Sequence, residues 1–197
     1  MKVGVLALQG AFIEHEKKLH ALGIETVQVR LPAQLDGLDG LIIPGGESTV
    51  IGKLAAEYKL IEPLRAFASD KPTWGTCAGM IFLARDIGND RQPILGVMDI
   101  TVNRNAFGRQ IDSFEQALPV TVLDDAPFNA VFIRAPLVTA VDAAATPPVE
   151  ILSTLPDGRI VAVQQGHLLA TAFHPELTDD LRLHTYFAQM VRERASA

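Results

Sequence analysis

Pro72-Thr73-Trp74-Gly75-Thr76-Cys77-Ala78-Gly79 carries most of the fold in eight residues. Residues 72–75 form an apolar run of strand length, and residues 78–84 open a segment of helical period. The only cysteine of the chain therefore stands where a buried strand turns sharply into a helix. Toward the N-terminus the same alternation repeats. Residues 3–8 read as a strand, about 11–22 as a helix, 24–29 and 40–44 as strands, and a helix begins at Ser48 after Gly45-Gly46. The Ser48 hydroxyl is expected to cap that helix. Near-continuous apolar strands separated by helices predict a mostly parallel sheet covered on both faces.

Beyond residue 100 the pattern changes. Short strand candidates at 100–102, 120–123, 130–133, 149–152, 160–163 and 168–173 follow with few helical signals between them, and some should add antiparallel to the sheet. Residues 139–148, rich in alanine and proline, read as a surface loop. A last helix is expected from near Thr178, with Asp179 and Asp180 at its positive end and Leu183, Tyr186, Phe187 and Met190 facing the core. The expected fold is α/β, a mostly parallel central sheet flanked by helices with antiparallel additions. Residues 1–197 are read as one domain, a length that buries a sizeable core.

Composition narrows the function classes. Hydrophobic residues make up 48% and charged residues 20%, which suits a soluble globular protein. A formal net charge of -6 without a basic run disfavours nucleic-acid binding. One cysteine cannot form an internal disulfide, which fits a reducing, cytoplasmic setting. The apolar stretch at the N-terminus is too short to span a membrane and lacks a small-residue cleavage site.

The chemistry concentrates at two places. Glycines on both sides of Cys77 permit the tight packing of a nucleophile elbow, and the turn aims the Ala78 N–H at a reacting carbonyl as half of an oxyanion hole. A cysteine taken alone also packs well as a small hydrophobe, so the glycine bracket and the strand-to-helix context are what favour a functional role. At His174-Pro175-Glu176 a base and a carboxylate are one residue apart. Proline biases His174 toward an extended conformation, and Glu176 can lie alongside it or return to the ring through a turn. The carboxylate would then fix the imidazole tautomer. A strand-ending histidine followed by a helix-entry acid is the structural alternative. A zinc site using Cys77, His167, His174 or His184 is disfavoured, because no paired ligand spacing is present.

Pro44-Gly45-Gly46-Glu47-Ser48 ends the third strand, and its double glycine frees the backbone to turn a second N–H toward a ligand. An ordinary turn reads the same way. No dinucleotide or P-loop phosphate fingerprint occurs. Arg104 and Arg134 each end a strand-like segment, where a guanidinium can grip a carboxylate or simply face solvent.

Taken together these residues resemble a class I glutamine amidotransferase, with its flavodoxin-like three-layer fold. Leu8-Gln9-Gly10-Ala11 with Glu14-His15, Pro44-Gly45-Gly46-Glu47-Ser48-Thr49, Gly75-Thr76-Cys77-Ala78-Gly79, Arg104-Asn105-Ala106-Phe107-Gly108-Arg109-Gln110, Phe132-Ile133-Arg134-Ala135-Pro136 and Phe173-His174-Pro175-Glu176-Leu177-Thr178 are similar to the family of glutaminase subunits of pyridoxal 5′-phosphate synthase. The elbow and the His-x-Glu are common to many amidotransferases, and the arginine-containing blocks are more specific. The resemblance covers the chain in order. It implies Cys77 as nucleophile with His174 and Glu176 completing a triad, and Gly46 and Ala78 as oxyanion-hole donors. It implies a glutamine site lined by Gly46, Glu47, Ser48, Arg104, Ile133 and Arg134.

The implied reaction is hydrolysis of L-glutamine to L-glutamate and ammonia through a cysteine thioester, without a cofactor or metal. The implied partner is a synthase subunit with a (βα)8-barrel fold, which receives the ammonia and makes pyridoxal 5′-phosphate from ribose 5-phosphate and glyceraldehyde 3-phosphate. A hetero-oligomer built as a double ring follows from the resemblance alone. So do weak activity until the partner docks and a peptide near Gly46 that reorients to complete the oxyanion hole. Gln9-Gly10-Ala11 is the candidate docking surface. The alternatives are the glutaminase subunit of another amidotransferase, or a cysteine hydrolase of similar fold.

Overall fold

The computed structural model describes residues 1–88, 91–104, 113–124 and 126–196. The first half alternates strand and helix. It runs through β1 (Lys2–Leu6), α1 (Phe12–Ala21), β2 (Glu25–Val29), β3 (Gly40–Ile43), α2 (Ser48–Glu57), α3 (Ile61–Asp70), β4 (Thr73–Thr76) and α4 (Ala78–Leu83). The second half is mostly strands: β5 (Ala84–Asp86), β6 (Met98–Asn103), β7 (Ser113–Leu118), β8 (Phe128–Ile133), β9 (Leu137–Val141), β10 (Val149–Thr154), β11 (Ile160–Gln165) and β12 (Leu168–Thr171). The final helix, α5, spans Arg182–Ala195.

The main sheet runs β2-β1-β3-β4-β12-β11-β9-β6-β5, with β10 pairing β11. Pairings from β2 through β12 are parallel. Those of β11 with β12, β10 and β9, and of β6 with β9, are antiparallel. β7 and β8 form a separate antiparallel hairpin. The sheet is the middle of three layers, as adjacent residues of β4 facing opposite sides show. Trp74 packs its ring against His184 and Phe187 of α5, whereas a Cβ built on Gly75 would meet Gly79 and Leu83 of α4. The core strands β1, β3 and β4 are almost wholly buried, as their apolar sequences require.

Several boundaries differ from the sequence reading. Residues 120–123 are not a strand. Pro119 closes β7, and the segment turns back on itself through Leu123 N to Val120 O at 2.9 Å. Val120 is apolar because its own side chain is buried, not because the segment is extended; Thr121 is exposed, and Val122 and Leu123 are half-buried. The loop expected over 139–148 begins inside β9. Helix α3 has no counterpart in the sequence reading, and its Pro63 is tolerated because it lies in the first turn. Helix α5 starts at Arg182 rather than near Thr178, since Thr178 and Asp180 first form a turn in which the Asp180 carboxylate accepts from Arg182 N at 3.0 Å. Helix α2 does start at Ser48, but Glu47 caps it by accepting from Thr49 N at 3.2 Å. The Ser48 hydroxyl points instead to Gln92 at 3.3 Å. No helix among the described residues is long and apolar enough to cross a membrane.

Candidate active site

Three neighbouring parallel strands, β3, β4 and β12, deliver the site at their carboxyl ends, where open α/β sheets bind ligands. β3 leads into Gly45 and Gly46, β4 into Cys77, and β12 into His174. Cys77 stands between β4 and α4 with φ +48° and ψ -104°. Such a conformation costs a non-glycine residue on the order of 1–3 kcal/mol and persists only where the surroundings enforce it. The enforcement is visible: Cys77 N donates to Thr171 O of β12 at 2.8 Å, and a Cβ on Gly79 would stand 2.0 Å from Ile43 O. The glycine is what lets α4 close onto β3.

His174 leaves β12 with its own N–H bonded to Val131 O at 2.8 Å. The 3-10 turn Pro175–Leu177 then brings Glu176 back to the ring, Nδ1 to Oε1 at 2.7 Å. Of the two routes open in the sequence, the chain takes the turn. Cys77 and His174 flank Gly45, whose Cα lies so close to the ring that a Cβ there would be 2.4 Å from His174 Cε1 and 3.2 Å from Cys77 Cβ.

These groups open onto a cavity of about 460 Å³. Cys77, Ala78 and His174 line one part of its wall, and Gly46, Glu47 and Ser48 another. Arg104, Ile133 and Arg134 complete it, together with Ile81, which the sequence did not single out. Every residue expected at the glutamine site thus lines one cavity, with Glu176 behind His174 at 2% exposure. Residues 105–110 of the arginine-rich block lie outside the described residues. Arg104 donates from Nη2 to Thr49 Oγ1 at 3.2 Å and stands 3.6 Å from Glu47 Oε1. Arg134 presents itself from a left-handed backbone at φ +43°.

One family profile runs across residues 5–193, from β1 into α5. The chain belongs to the SNO glutamine amidotransferase family. Among SNO relatives it is 62% identical over 191 residues to the pyridoxal 5′-phosphate synthase subunit PdxT of Herpetosiphon aurantiacus, covering 95% of this chain and 98% of that one. It is 57% identical over 192 residues to the protein of the same name from Moorella thermoacetica, covering 97% and 100%. A solved glutamine amidotransferase, 50% identical, superposes with a TM-score of 0.89 over 96% of this chain and 98% of its own. A putative GMP synthase component from Thermoplasma acidophilum shares the fold at 17% identity and a TM-score of 0.72, covering 100% and 96%.

The electrostatics of this SNO site run from the cavity inward. Burial opposes protonation of His174, but hydrogen bonds and charge from Cys77 and Glu176 outweigh it and push its pKa up to about 10. Burial likewise opposes ionisation of Glu176, yet His15 and His174 hold it below the usual carboxylate value. The imidazolium is therefore the resting form of His174 at neutral pH. Among the described residues no group of three His, Cys, Asp or Glu side chains is placed to hold a metal ion.

Sequence reasoning does not reach the layer behind Cys77, His174 and Glu176. His15 of α1 approaches Glu176 Oε2 at 3.4 Å, Thr76 Oγ1 at 3.1 Å and His184 of α5 at 3.0 Å. Thr76 accepts from Gly45 N at 3.0 Å. The available signal is indirect: in the sequence His15 stands in a family motif without a role, and His184 suggests nothing beyond a metal ligand.

Proposed function

We propose that this chain is the glutaminase subunit of a pyridoxal 5′-phosphate synthase. It hydrolyses L-glutamine and passes the ammonia to a synthase subunit. The observation that carries the reaction is the buried Glu176–His174 pair at 2.7 Å set beside Cys77 on a cavity wall. The relatives that bear the synthase name match end to end and support the choice of acceptor.

Cys77 Sγ attacks the side-chain amide carbon, and the oxyanion that forms is stabilised by the N–H groups of Ala78 and Gly46. Ala78 opens α4, so its N–H has no partner within the helix. The His174 imidazolium gives its proton to the departing nitrogen as the C–N bond breaks, leaving ammonia and a glutamyl thioester. The now neutral ring takes a proton from water, whose oxygen displaces the sulfur; thiolate and imidazolium are restored, and the new side-chain carboxylic acid loses its remaining proton to solvent as glutamate. Glu176 stabilises the charged ring throughout. Arg104 and Arg134, with Glu47, Ser48 and Ile133, hold the amino-acid end of glutamine.

Residues 1–197 act as one glutaminase domain in the cytoplasm, with the acceptor chemistry on a separate (βα)8-barrel subunit that makes the product from ribose 5-phosphate and glyceraldehyde 3-phosphate. The two chains form a hetero-oligomer, a double ring by family likeness. Gln9 supports a docking role for the entry to α1, because its Oε1 accepts from Glu47 N at 2.7 Å and so ties that entry to the cavity wall. The test is ammonia release from L-glutamine, with and without the synthase subunit, for wild type and Cys77→Ala. Partner-stimulated release abolished in the variant is the expected result. Wild-type inactivity with a folded partner refutes the assignment.

A further inference from the structure

The triad's acid has a second oxygen. Glu176 Oε1 is committed to His174, while Oε2 is buried and has no hydrogen-bond partner. A carboxylate oxygen sequestered in this way is costly unless a polar group faces it. The group that does so is His15 Nε2, at 3.4 Å, a contact too loose for a good hydrogen bond but close enough for a charge–dipole attraction. Both side chains are fully buried.

Chemistry fixes the tautomer of His15. Burial lowers its pKa, with a smaller opposing pull from Glu176, so the ring is neutral and one nitrogen carries the proton. Glu176 can only accept, so that proton belongs on Nε2, shared between Oε2 and Thr76 Oγ1. Nδ1 is then an acceptor and is met by His184 Nε2 at 3.0 Å. His184, itself neutral through burial, must donate from Nε2, which leaves its Nδ1 bare. That atom is indeed buried without a partner. The edge of Trp74 closes this ring cluster, 5.8 Å from His15 and 5.0 Å from His184 between centroids.

The second arm of His15 leads to the other half of the site. Thr76 Oγ1 accepts from Gly45 N, and Gly45 O accepts from Ala11 N at 3.0 Å. Helix α1 thus holds both ends of the Gly45 residue, through His15 and Thr76 at the N–H and through its own N-cap at the carbonyl. Gly46, whose N–H is assigned to the oxyanion, follows directly.

We infer that His15 is a positioning residue of the glutaminase: its Nε2–H aims the unpaired oxygen of Glu176 and, through Thr76, the Gly45 amide, so that one ring sets the triad acid and the oxyanion strand together. This rests on the proposed glutamine hydrolysis. His15 is 0% exposed and does not line the cavity, so it contributes to kcat and not to glutamine binding.

A reciprocal pair of substitutions tests it. In His15→Gln the side-chain amide reaches the place of Nε2 and keeps a donor for Glu176 and Thr76. In His15→Asn the shorter amide reaches only the place of Nδ1, toward His184. Two quantities are measured: glutaminase kinetics of the complex with the synthase subunit, and the rate of Cys77 alkylation by iodoacetamide in the free chain. For His15→Asn, kcat should fall about 100-fold, as a misplacement of about 1 Å produces, with KM within about threefold. His15→Gln should stay within about tenfold of wild type, and alkylation should follow the same order. A merely structural role would track melting temperature and not the donor position. His15→Asn matching or exceeding His15→Gln overturns the inference, as does a wild-type kcat in both. Should His15→Asn not fold, Thr76→Val cuts the same link at its other end, and an unchanged kcat there overturns it. Alkylation needs neither glutamine nor partner, so it separates this failure from a failure of the glutaminase reading.

Discussion

Gly45→Ala is the sharpest test of how the site is built, because the change adds one methyl group and strains no backbone. The new Cβ would stand 2.4 Å from His174 Cε1, 3.0 Å from Nδ1 and 3.2 Å from Cys77 Cβ. Ordinary contact begins near 3.4 Å, so the ring must retreat by about 1 Å. It has somewhere to go, since His174 lies at the cavity wall. Moving there stretches the 2.7 Å bond to Glu176 past hydrogen-bonding range. A misplacement of about 1 Å in a catalytic group costs about 100-fold in rate, or about 2.7 kcal/mol of transition-state stabilisation. Stability should fall far less, by about 1 kcal/mol, because a side chain at a cavity yields where a packed backbone does not. The assay is steady-state ammonia release by the complex, with the melting temperature measured in parallel. A kcat within threefold of wild type would show that the ring is not confined by Gly45, and the reasoning would fail.

Further outcomes follow from the same geometry. Gly79→Ala places a Cβ 2.0 Å from the backbone oxygen of Ile43, which cannot step aside, so it should destabilise by more than about 3 kcal/mol and lower the melting temperature sharply. Arg104→Lys should raise KM for glutamine about tenfold with kcat retained, because a point charge replaces a fork in uniform binding, whereas a kcat effect alone would place Arg104 in the chemistry. Gln9→Ala should reduce stimulation by the synthase subunit while leaving the melting temperature within about 2 °C, and unchanged stimulation would remove Gln9 from the docking surface. Thermal stability should peak near pH 6.5–7. Below 6.5 the unfolded chain protonates His15 and His184 where the folded chain resists, and above it the stabilisation from His174, whose folded pKa is raised, is lost as pH climbs toward about 10. A melting temperature flat from pH 5 to 10 would contradict these assignments.

The parts of the site legible in the sequence are those written in contiguous residues. Gly75-Thr76-Cys77-Ala78-Gly79 names its own elbow, since a cysteine at φ +48° needs small neighbours on both sides. His174-Pro175-Glu176 could be read as a base with its acid, although the turn that joins them could not be chosen over an extended path. Strands β1, β3 and β12 were legible because they are buried on both faces and are mostly apolar, whereas the half-exposed edge strand β2 showed itself only through its valines. β7 was not legible, because it alternates exposed and half-buried positions and reads as polar. Residues 120–123 misled for the opposite reason, being mostly apolar in a turn that buries Val120 and half-buries Val122 and Leu123. The contacts of His15 were beyond reach altogether. They join α1 to β4, the Pro175–Leu177 turn and α5, and sequence spacing carries no information about which distant histidine meets which carboxylate.

Why a histidine should stand at position 15 follows from the charges around it. Glu176 must remain an anion to sustain the imidazolium of His174, yet it is buried to 2% exposure, and its second oxygen needs a polar neighbour. A lysine or arginine there would satisfy Oε2 fully. It would also draw the carboxylate away from His174 and oppose the ring's charge, since a like charge at that range lowers a base's proton affinity. An aliphatic residue would leave the oxygen facing hydrocarbon and raise the pKa of Glu176, with the same loss at His174. A neutral ring that donates one proton avoids both outcomes, provided its own pKa is low enough to keep it neutral. The cluster secures that by burial: His184 and Trp74 wall His15 off from water, and His184 supplies a donor to Nδ1 so that no second proton need bind there. The orphaned Nδ1 of His184 is then the cost of the arrangement, carried by the ring that lies beyond His15 and not by His174.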